Sequence, residues 1–198
     1  MGKIKLTIEL VPSTSFYTNV RSILPKSEWD RLRKISYKKA GHKCEICKGN
    51  GLEQGYKHPV ECHEIWEYRK DGTQYLKGLI SLCPRCHQVK HIGRSMKVGL
   101  AKKVTQHLRK INGFTKDEAQ AYIGYAFQEH AIRSKQQWNI NLSVLTEKYG
   151  VKKSLITESM RKKPKTKAKT LTYKKKKKKK KTASKRKRPI KNISKKKR

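Results

Sequence analysis

Acidic residues are scarce in this 198-residue chain: 14 Asp and Glu stand against 52 Lys and Arg, a formal charge of +38. The 38 residues from Arg161 onward hold 23 of the basic residues and no acid, which leaves 29 basic against 14 acidic residues before them, a net +15. Both parts therefore favour polyanions, since each phosphate neutralised releases a condensed counterion. Apolar runs long enough to cross a bilayer are missing, the basic tail has no regular apolar face, and there is no CaaX box or other lipidation signature. Nucleic acid, rather than an anionic membrane, is the expected partner. A secretory leader is not expected either, because Glu9 interrupts the short apolar alternation of MGKIKLTIELV and no small-residue cleavage site follows. The chain reads as intracellular. No repeat of solenoid type is visible.

Cysteine is present, five times, and in a reducing compartment paired thiols hold metal more often than they form disulfides. Cys44-Glu-Ile-Cys47 and Cys83-Pro-Arg-Cys86 form two CxxC pairs separated by 35 residues. Two such knuckles supply the four thiolates that a closed structural zinc site takes, and here the ion would staple a whole inserted hairpin. The fifth cysteine, Cys62, stands in PVECHEIWEY beside His63, Glu61 and Glu64.

Hydrophobic periodicity organises the rest into an α+β chain. KIKLTIEL, residues 3–10, alternates Ile4, Leu6, Ile8 and Leu10 with polar residues and predicts a strand. SEWDRLRKISYKKAG predicts a helix capped by Ser27, burying Trp29, Leu32 and Ile35 or Ser36, and stopping at Gly41. VECHEIWEY and YLKGLISLC flank RKDGTQ, whose Asp71-Gly72 marks a hairpin turn. CPRCHQVKHIG then predicts a helix with Pro84 at its first position, His87 and His91 on one face, and Gly93 as its stop. From Met96 to about Gly150 the pattern is mostly helical. One helix opens with Thr115 and Glu118 in capping-box register and turns Ala119, Tyr122, Ile123, Ala126 and Phe127 to the core; WNINLSVLTEKYG adds a short extended segment and a last helical turn. The divisions are thus 1–41 (strand and helix), 42–95 (Cys- and His-rich core), 96–158 (helical extension) and 159–198, a Lys-rich tail too poor in apolar residues to fold alone.

Cys44-x2-Cys47, then ECHEIW, then GLISLCPRCHQVKH resembles the HNH endonucleases over residues 41–93. That family's ββα-metal core is a hairpin followed by a helix around one catalytic divalent ion, often braced by a four-cysteine zinc. The resemblance implies that His63 is the general base and His87 a metal ligand, and their sequence separation of 24 matches the family's spacing. The nuclease colicins, which share the core, carry a further metal-binding His where His91 stands. Two positions depart from the pattern. Cys62 stands where most members have a hard metal ligand, Asp or His. It remains a candidate ligand for a soft ion, with Glu64 the likelier substitute, since strict alternation puts Glu61 on the face of His63 and Glu64 on that of Cys62. Gly78 stands where the second strand usually carries Asn, so another group, such as a backbone carbonyl, would have to orient His63.

The resemblance implies an endonuclease acting on nucleic acid, expected to be double-stranded DNA, with structural Zn2+ and a catalytic Mg2+, Mn2+, Ni2+ or Zn2+. Arg85 and Lys90 are candidates to hold neighbouring phosphates, as against a solvated basic face. The alternative is an inactive zinc-containing DNA-binding or packaging protein; a third reading, an RNA-binding zinc protein, leaves His63 and His91 without a role. The tail supplies affinity without base readout, and KRKRP at 185–189 reads as a nuclear import signal, which points to a nuclear or virion location. Oligomeric state is not legible.

Overall fold

Residues 4–162 are described in the computed structural model, with side chains described as far as residue 158; the lysine-rich tail beyond residue 162, with the KRKRP stretch expected to direct nuclear import, lies outside them. The hairpin forms where Asp71-Gly72 predicts it: β1 (Glu61–Tyr68) pairs antiparallel with β2 (Thr73–Leu82), and Gly72 takes the positive φ of +80° that the turn requires. The ladder runs in register from Glu61↔Leu82 to Ile65↔Gly78, then slips so that Trp66 faces Leu76. The slip is a bulge, and it gives Gly78 a conformation that favours glycine. Its φ is +154°, and a Cβ there would meet Tyr149 Oη at 3.3 Å, the atom that accepts the Leu79 N–H at 3.0 Å. An Asn at this point would displace that tyrosine.

Ahead of the hairpin lie α1 (Val20–Ile23) and α2 (Lys26–Lys39). Pro25, not Ser27, is the N-cap of α2, so the expected capping by Ser27 is not made; Leu32 and Ser36 are buried, Ile35 is exposed, and Gly41 follows the helix at φ +57°. After β2 come α3 (Pro84–Lys90), α4 (Ile92–Lys97), α5 (Ala101–Asn112) and α6 (Lys116–Arg133). Gly93 does not stop a helix as expected. The chain bends instead at His91, where φ −97° and ψ 43° end α3, and Gly93 lies inside α4 with Leu10 and Phe127 close by. Thr115 and Glu118 form the expected capping box. Of the expected core face of α6, Ala119 and Ile123 are buried, while Phe127 is 38% exposed and so only partly covered. β3 (Asn139–Asn141) adds a parallel third strand beside Thr73–Tyr75, and α7 (Ser143–Glu147) follows. An unexpected helix, α8 (Lys153–Lys162), continues past residue 159.

The N-terminal segment corrects the sequence reading. Leu6 and Ile8 are buried as the alternation requires, yet residues 4–10 pair with no strand. Side chains satisfy the backbone instead: Asn112 Oδ1 accepts the N–H groups of Lys5 (3.0 Å) and Leu6 (2.9 Å), Asn112 Nδ2 donates to Leu6 O (2.9 Å), and Tyr122 Oη accepts from Ile8 N (3.2 Å). One core joins Leu6 and Ile8 to Cys44, Leu82, Cys86, Val89, Leu108 and Ile123. A second joins Val20, Ile23, Leu32, Leu76, Leu142 and Leu145. β2 contributes to both, and the segments expected at 1–41, 42–95 and 96–158 fall within one compact unit. Among the described residues no helix is long and apolar enough to cross a membrane.

Asn112→Ala removes three bonds from partly buried backbone, each worth about 1 kcal/mol net. Urea unfolding should show a loss of about 2 kcal/mol; a change below about 0.5 kcal/mol would mean that water satisfies this segment equally well.

Candidate metal centres

The knuckle after α2 is a tight loop in which Lys48 takes φ +64°, Lys48 N donates to Cys44 O at 2.9 Å, and Cys44 N donates to Gly49 O at 2.9 Å. It carries Cys44 and Cys47 toward Cys83, at the end of β2, and Cys86, in the first turn of α3. All four are free thiols whose sulfurs lie within 4.8 Å of one another, and Cys47 Sγ is 3.5 Å from Cys83 Sγ. Sulfurs at about 2.3 Å from a tetrahedral zinc stand about 3.8 Å apart, so the four residues fit the ion. Their protons conflict at such separations. Hydrogen bonds from Cys83 and Cys86 lower the Cys44 thiol, those with Cys44 and Cys83 raise Cys86, and burial pushes Cys47 up to about 12. A divalent cation among them removes the conflict by favouring every thiolate. His107 Nε2, 3.2 Å from Cys86 Sγ, ties α5 to the cluster.

A second cluster lies alongside. His63 on β1 meets His87 on α3 and His91 at its end, with one nitrogen of each within 4.8 Å of the others. Ring centroids are 5.2 Å apart for His63 and His87, 4.9 Å for His63 and His91, and 4.6 Å for His87 and His91. The Nε2 atoms of His87 and His91 are 3.1 Å apart, close to the roughly 3.3 Å that two nitrogens keep on a tetrahedral ion at 2.0–2.1 Å. These two residues fit a shared metal.

Two carboxylates set the tautomers. Glu61 accepts a hydrogen bond at Oε2 from His87 Nδ1, which leaves His87 Nε2 as a lone-pair donor. Glu9 Oε2 accepts from His63 Nε2 at 2.9 Å, which leaves His63 Nδ1 unprotonated while the ring is neutral. Burial lowers His63 despite the opposing pull of Glu9, and burial, with the fields of His63 and His87, brings His91 to about 3. Burial alone would raise Glu9, but the His63 hydrogen bond and the Lys90 charge outweigh it and hold the carboxyl at about 2.

Other expected site residues lie elsewhere. Cys62 does not join His87 and His91: strand alternation turns it away from His63, against Ser36 and Tyr37, where burial pushes its thiol up to about 12. Glu64 shares that face and is not a substitute ligand; it accepts from Val20 N at 2.8 Å and Trp66 Nε1 at 3.1 Å. Lys90 is buried against Glu9 and Thr7, so it braces Glu9 and is not free to hold a phosphate. Arg85 is exposed. The group that orients His63 is the Glu9 carboxylate, not a backbone carbonyl. Glu9 was visible only as the acidic polar member of the opening stretch, and His107 gave no sequence signal. The chain matches no family model, no curated protein and no solved structure.

Cys86→Ser should cost one zinc per chain by elemental analysis and destabilise the fold by several kcal/mol in chemical unfolding, on the order seen when structural zinc is lost. Glu61→Gln should weaken binding of a second ion about 10- to 100-fold in metal titrations while the four-cysteine zinc stays. Equal affinity in that variant would show that Glu61 does not support His87.

Proposed function

We propose that the chain is a metal-dependent endonuclease of the HNH type that hydrolyses phosphodiester bonds of nucleic acid, with double-stranded DNA the expected substrate. The observation that carries the reading is the meeting of His63, on a hairpin, with His87 and His91, on the helix that follows it, beside a separate four-cysteine cluster. Held by His87 and His91, a divalent ion would supply Lewis-acid stabilisation of charge developing on the phosphate oxygens. With Cys62 and Glu64 turned away, the donor set is imidazole, which suits Ni2+ or Zn2+ better than Mg2+.

His63 does the proton work. Neutral through burial and protonated at Nε2, it accepts a proton at Nδ1 from the water that attacks phosphorus in line with the leaving 3′ oxygen. Glu9 keeps the ring from turning and compensates its positive charge once the proton has arrived. Lys90 in turn holds Glu9 ionised.

One observation favours a second reading, an inactive zinc-containing DNA-binding or packaging protein. The donors of His63 lie close enough to those of His87 and His91 for all three to close on one ion, which would leave no base. Plasmid nicking separates the two. His63→Ala should lower the rate by at least about 100-fold, the scale of general base catalysis, with DNA affinity and both metal populations kept. Undiminished nicking would eliminate His63 as base, and loss of the second ion with His63 would favour the binding protein.

A further inference from the structure

Between α3, α5 and the loop at 54–56 lies a cavity of about 340 Å³ whose walls include Arg85, Gln88, Lys103, His107, Lys110 and Tyr56. No carboxylate lines it. Elsewhere among the described residues acids neutralise nearby cations: Glu28 pairs Arg31, Asp30 pairs Arg33, Glu67 pairs Arg69 and Lys77, and Glu129 pairs Arg133. Arg85, Lys103 and Lys110 take part in none of these pairs. Three cations converging on a concave polar surface repel one another, and an anion seated among them relieves that repulsion.

The walls are held in place. Tyr56 Oη and the Gln88 amide are hydrogen-bonded, with Gln88 Nε2 3.0 Å from Tyr56 Oη, and His107 is fastened to Cys86 of the zinc cluster. A run of contacts links its wall to the histidine cluster. Arg85 and Gln88 share one face of α3, whereas His87 and His91 share another. Tyr56 leads to the His58 ring at 6.5 Å, His58 Nε2 is 3.0 Å from Glu61 Oε1, and Glu61 holds His87.

We infer that this cavity is a phosphate subsite, in which Arg85, Lys103 and Lys110 hold the backbone of the nucleic-acid strand that passes the histidine cluster. Arg85 offers a planar fork to two phosphate oxygens, and the lysines act as point charges. The inference rests on the nucleic-acid reading above but not on hydrolysis. It places specific contacts on the folded part of the chain, in addition to the sequence-independent pull of the lysine tail.

The test uses the full-length chain and a fluorescein-labelled DNA duplex, titrated by anisotropy at several salt concentrations without added divalent ion. Lys103→Ala with Lys110→Ala should lower the slope of log K against log salt by about 1.8, or about 0.9 per phosphate contact, at unchanged zinc content and unfolding midpoint. Lys38→Ala with Lys39→Ala, a charge-matched exposed pair on α2, should change it far less. A benzophenone side chain at Gln106 should crosslink to the duplex and lose that crosslink when the cavity lysines are removed. Equal slope changes for the two pairs, or a crosslink that survives, would overturn the inference. A chain that binds through the cavity yet never nicks would refute hydrolysis and leave the subsite standing.

Discussion

Four sulfurs impose the constraint on which the candidate site depends. Cys44 and Cys47 come from the loop after α2, Cys83 from the residue that follows β2, and Cys86 from the first turn of α3. Drawing them together fixes where α3 starts and in which direction it leaves the sheet. His87 follows Cys86 directly and His91 lies one helical turn further, so the sulfurs also fix the histidines. Polar contacts reinforce the joint: Ser36 Oγ lies 2.8 Å from Ser81 Oγ, and Glu45 Oε1 accepts from Ser81 N at 2.8 Å. His63 sits across the ladder from Ile80, two positions before Leu82, and so reaches α3 because the hairpin is held against it.

Carboxylates from different parts of the chain then decide what each imidazole can do. Glu9 and Glu61 do the same chemical work on different rings, each taking the proton of one nitrogen and exposing the other. Glu9 arrives on a segment with no strand partner, held by Asn112 and Tyr122 and by the bond from Glu9 N to Lys90 O at 3.0 Å. The N-terminal segment is thereby part of the site, joined to α5 and α6 as well as to α3. A helical extension that might have been a separate module instead supports the residue that orients His63.

Much of this was legible in sequence where a local pattern determines the structure. The turn at Asp71-Gly72, Pro84 opening α3, the capping box at Thr115 and each of the two CxxC pairs depend on residues near one another in the chain, and each emerges as its spacing requires. What escaped depends on distant partners. Alternation in KIKLTIEL reports burial of one face, and a strand pairing and side-chain caps from Asn112 produce the same alternation. Gly78 reads as a missing asparagine until the bulge and Tyr149 show why glycine suits that position. Cys62 and Glu64 could have been set aside from the strand period alone, since they share a face opposite His63; the expectation of a ligand before the base kept Cys62 in view. Glu9 lies 54 residues from its partner His63, and nothing in the sequence announces that pairing.

The proposed function requires two metal centres with separate roles, a four-cysteine staple and a histidine cluster that does chemistry. Elemental analysis of the full-length protein after equilibration with Ni2+ or Zn2+ and gel filtration tests it most directly. The account predicts two ions per chain, one lost readily to a mild chelator together with any nicking activity and the other retained until the fold opens. A single ion per chain, bound by the cysteines, with the histidines metal-free under every ion tried, would contradict it.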